Sequence, residues 1–305
     1  MPALCVLVAV GGCGVSEPDH EPTVEYYTIA AWGFNDDGQC DVPVTSADFV
    51  GVAAGLWHSL GLRYDGSVLA WGGNAEGQCD VPEPNADFIA IASGMWHCLG
   101  LKSDGTVVAW GSNASGQCDV PAPNEGFVAV AGGGGHSMGL RSDGSVVVWG
   151  SNEFGQWDVP DPNTGFEKIA AGFDHCLGLK SDGTVVAWGQ NDDGQCNVPS
   201  PNSDFTEIAA AGAHSLALKS DGSIEAWGWN YYGQCDVESP NWGYIAIGAG
   251  AFHSVGLRFH GRIATWGDNT YSQCDVVDPN FDFVDVVCGG FHNLGLRDLS
   301  GGDAD

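Results

Sequence analysis

The sequence predicts an all-β fold, a seven-bladed β-propeller of 39-residue antiparallel blades. Three observations carry the prediction. Trp-Gly pairs begin at Trp32, Trp71, Trp110, Trp149, Trp188, Trp227 and Trp266, every interval being 39 residues. His58, His97, His136, His175, His214, His253 and His292 keep the same interval. So do Gln39, Gln78, Gln117, Gln156, Gln195, Gln234 and Gln273 of a Gly-Gln-Cys element, which reads Ser-Gln-Cys in the last copy and Gly-Gln-Trp in one other. A period near 40, kept without insertion, points to a propeller or a solenoid. Composition agrees: 47 Gly and only 3 Met disfavour helical bundles, because glycine weakens helix interiors.

One unit, residues 88–121, shows why each element forms. FIAIASG is a short strand rich in small residues, and HCLGLK is an alternating strand. Ser103-Asp104-Gly105 makes a tight hairpin, since Asp-Gly tolerates positive φ. TVVAWG is a third strand, Ser112 to Gly116 a loop, and Gln117 to Val120 a short fourth strand stopped by Pro121. Such a blade cannot bury both faces alone; blades around an axis can. Small residues of the first strand (Ala53, Ala54, Ala170, Ala171, Ala209, Ala210) suit the crowded centre, and the Trp-Gly tryptophans pack between blades. The ends choose ring over solenoid. Trp32 has no preceding hairpin, and the hairpin 283–297 has no following Trp-Gly. Together they complete a seventh blade, closed by pairing of the N-terminal strand with the C-terminal hairpin. Residues 26–298 number 273, seven times 39.

The expected organisation is a leader at 1–13, a polar tether at 14–25, the propeller at 26–298 and an acidic tail at 299–305. ALCVLVAVGG, at 3–12, is too short to span a bilayer and fits a signal h-region. Val10-Gly11-Gly12-Cys13 resembles a bacterial lipobox, making Cys13 the expected lipidation site. Met1-Pro2 supplies no basic n-region, a departure from signal sequences. Export, to the cell envelope as a lipoprotein or by secretion, is the expectation, with membrane contact only through a lipid anchor.

The pattern G-x-x-H-S-L-x-L-K-S-D-G-x-V-x-A-W-G-x-N-x-x-G-Q resembles the regulator of chromosome condensation repeat superfamily over nearly the whole chain beyond the leader. The variant W-G-x-N-x-x-G-Q-x-x-V-P is similar to secreted bacterial members, among them a β-lactamase-inhibitory propeller. The resemblance implies a seven-bladed propeller that mostly binds other proteins.

The repeated polar residues read as scaffold. Each histidine is expected to hydrogen-bond within its own blade, since residues one blade apart cannot easily share a metal ion. Cys40, Cys79, Cys118, Cys196, Cys235 and Cys274 follow Gln, with Trp157 in the remaining register, and read as fillers of an apolar slot. Cys98, Cys176 and Cys288 replace Ser or Ala of other repeats and read as packing. Nine cysteines besides Cys5 and Cys13 cannot all pair. The Asp of Gln-Cys-Asp-Val is expected to protect an outer edge strand. Seven of the nine basic residues (Arg63, Lys102, Arg141, Lys180, Lys219, Arg258, Arg297) share one register and are expected to pair with turn carboxylates; Lys168 and Arg262 remain. The formal net charge of −30 opposes binding of nucleic acid.

The loops before histidine and after Trp-Gly emerge on one face, the Asp-Gly turns and Pro-Asn connections on the other. The second face reads as monotonous. The first varies, and its variation is aromatic. Trp57, Trp96, Phe173, Phe252 and Phe291 precede histidines; Phe34, Phe154, Trp229, Tyr231, Tyr232 and Tyr271 follow Trp-Gly pairs. Most of them form an arc running from the fifth blade through the sixth and seventh to the first and second. Large aromatics at repeat-variable positions are typical binding hot spots, and the resemblance implies the same use of these loops. The expected function is a non-enzymatic, monomeric protein-binding propeller with an unidentified partner on this face. A carbohydrate-binding propeller is the alternative. Guanine-nucleotide exchange ranks lower, because strict 39-residue spacing leaves no inserted wedge. No catalytic constellation, cofactor motif or metal motif is found.

Overall fold

A computed structural model describes residues 27–43 and 48–298. Cys13, the leader, the tether and the acidic tail lie outside the described residues.

Seven antiparallel sheets, each of three strands, carry the repeat. In blade 1 the inner strand Phe49–Ala54 pairs with the middle strand His58–Arg63, which pairs with the outer strand Val68–Gly72. Blades 2 to 6 repeat this over 88–111, 127–150, 166–189, 205–228 and 244–267. Blade 7 joins the two ends: Phe283–Cys288 and His292–Arg297 supply the inner and middle strands, and Thr28–Gly33 the outer one. Trp32 stands opposite Asn293 there, as Trp71 stands opposite Ser59 in blade 1.

The expected fourth strand does not form. Its donors are consumed inside the loop that precedes it. Cys118 N–H donates to Asn113 Oδ1 (2.9 Å), Asn113 Nδ2 to Asp119 Oδ1 (2.9 Å), and Asp119 N–H to Gly116 O (3.0 Å). The Asp therefore clamps a loop and does not guard a strand edge. Asp41, Asp80, Asp236 and Asp275 accept from Asn35, Asn74, Asn230 and Asn269 in the same way.

Apolar surface is buried between blades. Leu60, Leu62 and Val68 of blade 1 pack with Phe88, Cys98 and Trp110 of blade 2. The keystone tryptophans are buried as expected. The inner-strand alanines divide their work: Ala53 packs in an inter-blade core, while Ala54, Ala171 and Ala210 line the axial cavity.

The histidines bridge blades, contrary to expectation. His292 Nε2 lies 2.9 Å from Ser59 Oγ across the junction of blades 7 and 1. Ser59 Oγ donates to Gln39 O (2.8 Å), and Trp71 Nε1 donates to the same carbonyl (2.9 Å). Equivalent contacts link His97 with Ser137, His175 with Ser215 and His214 with Ser254. Cys98 and Cys176 take the serine position opposite His58 and His136, so these thiols have a polar role besides packing. In blade 7 Asn293 fills both roles: Nδ2 donates to Gln273 O, and Oδ1 accepts from His253 Nε2. An amide oxygen can only accept, so Nε2 carries the proton. Asn293→Leu keeps the volume and orphans both partners; it should cost about 1–3 kcal/mol in urea unfolding. Asn293→Ser restores the residue of four other registers and should be nearly neutral.

The basic ring also departs from expectation. Lys102, Arg141, Lys180, Arg258 and Arg297 donate to the carbonyls of Pro84, Pro123, Pro162, Pro240 and Pro279. They cover the first aromatic ring of their own inner strand, Lys180 lying 3.8 Å from the Phe166 centroid. Turn carboxylates such as Asp104 accept instead from Thr106 N–H and Oγ1. Arg63 with Asp48 and Lys219 with Glu225 are ion pairs of this ring, and Lys168 pairs with Glu207 between blades 4 and 5.

Candidate functional site

The aromatic residues sit where two loops of each blade meet. The residue after Trp-Gly donates its N–H to the carbonyl of the residue before histidine: Phe34 to Phe291 (2.9 Å), Gly73 to Trp57 (2.8 Å), Trp229 to Ala213 (2.9 Å) and Asp268 to Phe252 (2.9 Å). The intervening glycine is required. At Gly72, φ is +98°, and a Cβ would lie 2.7 Å from Trp57 O. The backbone thus fixes the height at which each aromatic emerges.

Nine of the predicted aromatics touch in one unbroken series. Tyr231 stacks on Trp229 (6.1 Å between centroids), Trp229 meets Phe252 edge-on (5.3 Å), and Tyr232 contacts both Trp229 and Phe252. Phe252 contacts Phe291 (5.5 Å), which meets Tyr271 (5.5 Å) and stacks on Trp57 (5.3 Å). Phe34 lies between Tyr271 (4.9 Å) and Trp57 (5.0 Å), and Trp57 reaches Trp96 (6.4 Å). Edge-to-face and offset contacts at these separations favour one another beyond their buried area. The series spans blades 5, 6, 7, 1 and 2. Tyr231 is 78% exposed, and Tyr232 and Tyr271 are 44% exposed; the others are half-buried against each other.

Two predicted residues lie apart from this series. Phe154 is exposed on blade 3, and Phe173 lines the axial cavity together with Leu56, Met95 and Ala251. Trp157 is also exposed, which corrects its reading as a slot filler. The six half-buried cysteines of that register donate Sγ–H to a carbonyl six residues back, as Cys40 does to Phe34 O, so the slot is polar on one side. Burial pushes the Cys40 and Cys235 thiols up to about 12, and they stay protonated. The nine cysteines of the described residues are free.

Sequence reasoning missed two features. The turn face is not monotonous: Tyr64, Trp242, Phe259 and Phe281 are exposed there, with Trp242 against Phe259. Their signal was variation at otherwise polar turn positions. On the rim, Asp174 occupies the register of Trp57 and Phe252. Burial, then the neighbouring Glu153, hold its carboxyl above the ordinary range, while Gln156 Nε2 donates to it (3.3 Å).

Comparison with known structures places the fold. Prp20p from Saccharomyces cerevisiae superposes with a TM-score of 0.76 at 19% identity, covering 92% of this chain and 93% of its own. Human WBSCR16 gives 0.71 at 18% identity, covering 89% and 98%. The ectodomain of the Physcomitrella patens receptor kinase CR4 gives 0.69 at 22% identity, covering 84% and 72%. No curated protein sequence matches significantly. The sequence profile of the Regulator of chromosome condensation (RCC1) repeat matches residues 49–78, 88–117, 127–156, 166–195, 205–234 and 244–273, one match in each of blades 1 to 6. With more than half its length in these repeats, the chain belongs to the regulator of chromosome condensation repeat family.

Proposed function

We propose that the protein is a non-enzymatic binding propeller that captures another protein through the rim face. The observation that carries this reading is the unbroken series of nine aromatic side chains from Tyr231 to Trp96. Contiguous apolar surface of this kind on a rigid ring marks a partner site, and aromatic anchors held by packing lose little entropy on binding. The arc differs from blade to blade, which suits one asymmetric partner better than a repeated sugar unit. Prp20p, which shares the fold, is described by its binding to Gsp1p and histones and is seen bound to Kap60. That use of the fold as a platform for protein contact supports the reading.

The apolar run at 3–12 and the lipobox-like Val10-Gly11-Gly12-Cys13 support export and tethering at a cell envelope through Cys13. The described chain enters and leaves blade 7 at the turn end, by Thr28 and Arg297. A tether there leaves the aromatic face pointing away from the anchor.

The test is a combined variant, Trp57→Ala, Trp96→Ala and Trp229→Ala, used to capture proteins from the envelope and secreted fractions of the source organism. The folded variant should retain specific partners at least about 100-fold less tightly than the parent, as for loss of several hot-spot anchors. Undiminished capture would sink the proposal. A glycan array that responds to the parent and not to the variant would replace the protein partner with a sugar.

A further inference from the structure

Blade 6 departs from the other blades at the turn end. Five hairpins carry a carboxylate, at Asp65, Asp104, Asp143, Asp182 and Asp221; the same register in blade 6 is His260. The residue before it is serine in blades 2 to 5 and Phe259 here. In the Asp-Gly turns only the glycine is left-handed, whereas His260 (φ +79°) joins Gly261 (φ +69°) in blade 6. Arg262 follows, exposed and opposite Arg258.

Apolar side chains gather around this hairpin. Trp242, in the connector before blade 6, packs against Phe259 at 6.0 Å between centroids. Phe259 lies over the same connector: a Cβ at Gly243 would be 2.6 Å from its ring. In the next connector, Asn280 Nδ2 donates to Ile263 O (2.8 Å), which fixes Phe281 beside the strand that Arg262 opens. Trp242, Phe259 and Phe281 are exposed, as are Ile245 and Val284 of the inner strands of blades 6 and 7. The register of Trp242 and Phe281 holds Ala86, Glu125, Thr164 and Ser203 before blades 2 to 5. Glu238, Asp278, Asp282 and Asp298 share the region with Arg258, His260, Arg262 and Arg297, so it is closer to charge balance than the chain as a whole, at −30.

This end of the ring also faces the proposed anchor. Tyr27, at the start of the described chain, bridges Phe49 there. Fully extended, the segment from Cys13 to Tyr27 reaches at most about 50 Å, so a lipid on Cys13 holds the turn end within that distance of a bilayer. We propose that the turn end of blades 6 and 7 rests on the phospholipid surface that holds the anchor, with Trp242, Phe259 and Phe281 at the headgroup–acyl boundary and Arg262 among the phosphates. The inference rests on the envelope-tethering reading and adds a second contact to it. Exposed Trp and Phe beside Arg are the composition of surfaces that sit at headgroup level. A region near charge balance suits zwitterionic phospholipid better than an anionic leaflet, which attracts clustered cations. Docked in this way, the ring would hold its aromatic rim away from the bilayer in a fixed orientation.

The test uses the full chain on vesicles of phosphatidylcholine and phosphatidylethanolamine whose acyl chains carry bromine, which quenches tryptophan fluorescence on contact. Of the 12 tryptophans, seven are keystones and Trp57, Trp96, Trp157 and Trp229 belong to rim-side loops, which leaves Trp242 as the reporter. Quenching is expected in the parent. Trp242→Phe, which keeps an aromatic anchor, should remove most of it while vesicle binding persists. Phe259→Ser, His260→Asp and Phe281→Ser together restore residues found in other blades and should cut the quenching at least about threefold. Trp157→Phe, at an exposed tryptophan of blade 3, should change nothing. No quenching in the parent, or equal quenching in the restored variant, overturns the proposal. So does a dimer or a captured protein that the same three substitutions abolish in the absence of quenching, since the face then has another occupant. Labelled palmitate, incorporated by the parent and not by Cys13→Ser, tests the tether by itself. Incorporation without quenching overturns only the docking; no incorporation overturns the tethering reading and the docking with it.

Discussion

Lowering the pH from neutral toward 4 should unfold the protein in a steep transition. The cause is the ring of seven buried histidines. Burial lowers His58, His136 and His253 from 6.5 to about 4, and His97, His175, His214 and His292 to about 3. Each is neutral when folded and protonates readily when unfolded. The stability they support is complete above pH 6.5 and is lost as the pH falls toward 4, because the unfolded chain then binds more protons. Each group costs about 1.4 kcal/mol per pH unit, so seven cost on the order of 10 kcal/mol per unit, comparable to the whole stability of an ordinary domain. An opposing effect exists: protonating carboxylates relieves self-repulsion in a chain with net charge −30. It is spread over exposed, screened groups and is the weaker of the two. Urea midpoints by tryptophan fluorescence should fall sharply below pH 6.5, and acid unfolding near pH 5 should take up on the order of seven protons. A flat stability profile between pH 7 and 4.5 would show that the ring is not held neutral.

Removing the strand Thr28–Gly33 should abolish the stable ring. That strand is the outer third of blade 7 and brings Trp32, which is buried and packs on Phe283 at 6.1 Å. Trp32 Nε1 also donates to Gln273 O (3.1 Å), and its core includes Val255, Leu257 and Val286. Trp32→Ala alone should cost about 3–5 kcal/mol, the range for emptying a buried aromatic site. The full deletion adds six unpaired positions along His292–Arg297 and opens the contact with blade 1, where Trp71, Phe49 and Leu294 share one core. Thermal unfolding should lose its cooperative transition in the deletion. Adding back a peptide of residues 27–43 should restore it, which separates lost closure from general misfolding. A deletion variant that melts like the parent would sink the closure argument.

Most of the ring was legible in the sequence because one spacing fixes it. Trp32 without a hairpin and 283–297 without a Trp-Gly pair state the closure directly. The aromatic arc was legible for a related reason. Against seven aligned copies, Trp57 or Tyr231 stands out as a departure, and a departure on one loop face has nowhere to go but the rim. What failed was partner choice at fixed positions. Strand-like Gln117–Val120 became a loop because Asn113 took the backbone donor a strand would have used. His292 reached Ser59 because both stand at the rim end of middle strands in adjacent blades, a contact that a one-blade view does not include. Lys180 preferred the Phe166 ring and the Pro162 carbonyl to a turn carboxylate already satisfied by Thr184. Periodicity reports where a residue recurs; it does not report which neighbour it faces.

The relay at each junction has one further consequence. Between blades 7 and 1, where the C-terminal hairpin meets the N-terminal part of the chain, it runs through His292, Ser59, Gln39 and Trp71, at distances matching those of His175, Ser215, Gln195 and Trp227 at the junction of blades 4 and 5. That contact of the C-terminal hairpin is chemically equivalent to the one between blades 4 and 5. A circularly permuted gene, opened in any Pro-Asn connector and joined through the present ends, should keep a lock of the same geometry at every junction, with Ser, Cys or Asn as its middle member. The blades are therefore interchangeable parts, each free to vary its rim loops without renegotiating the ring.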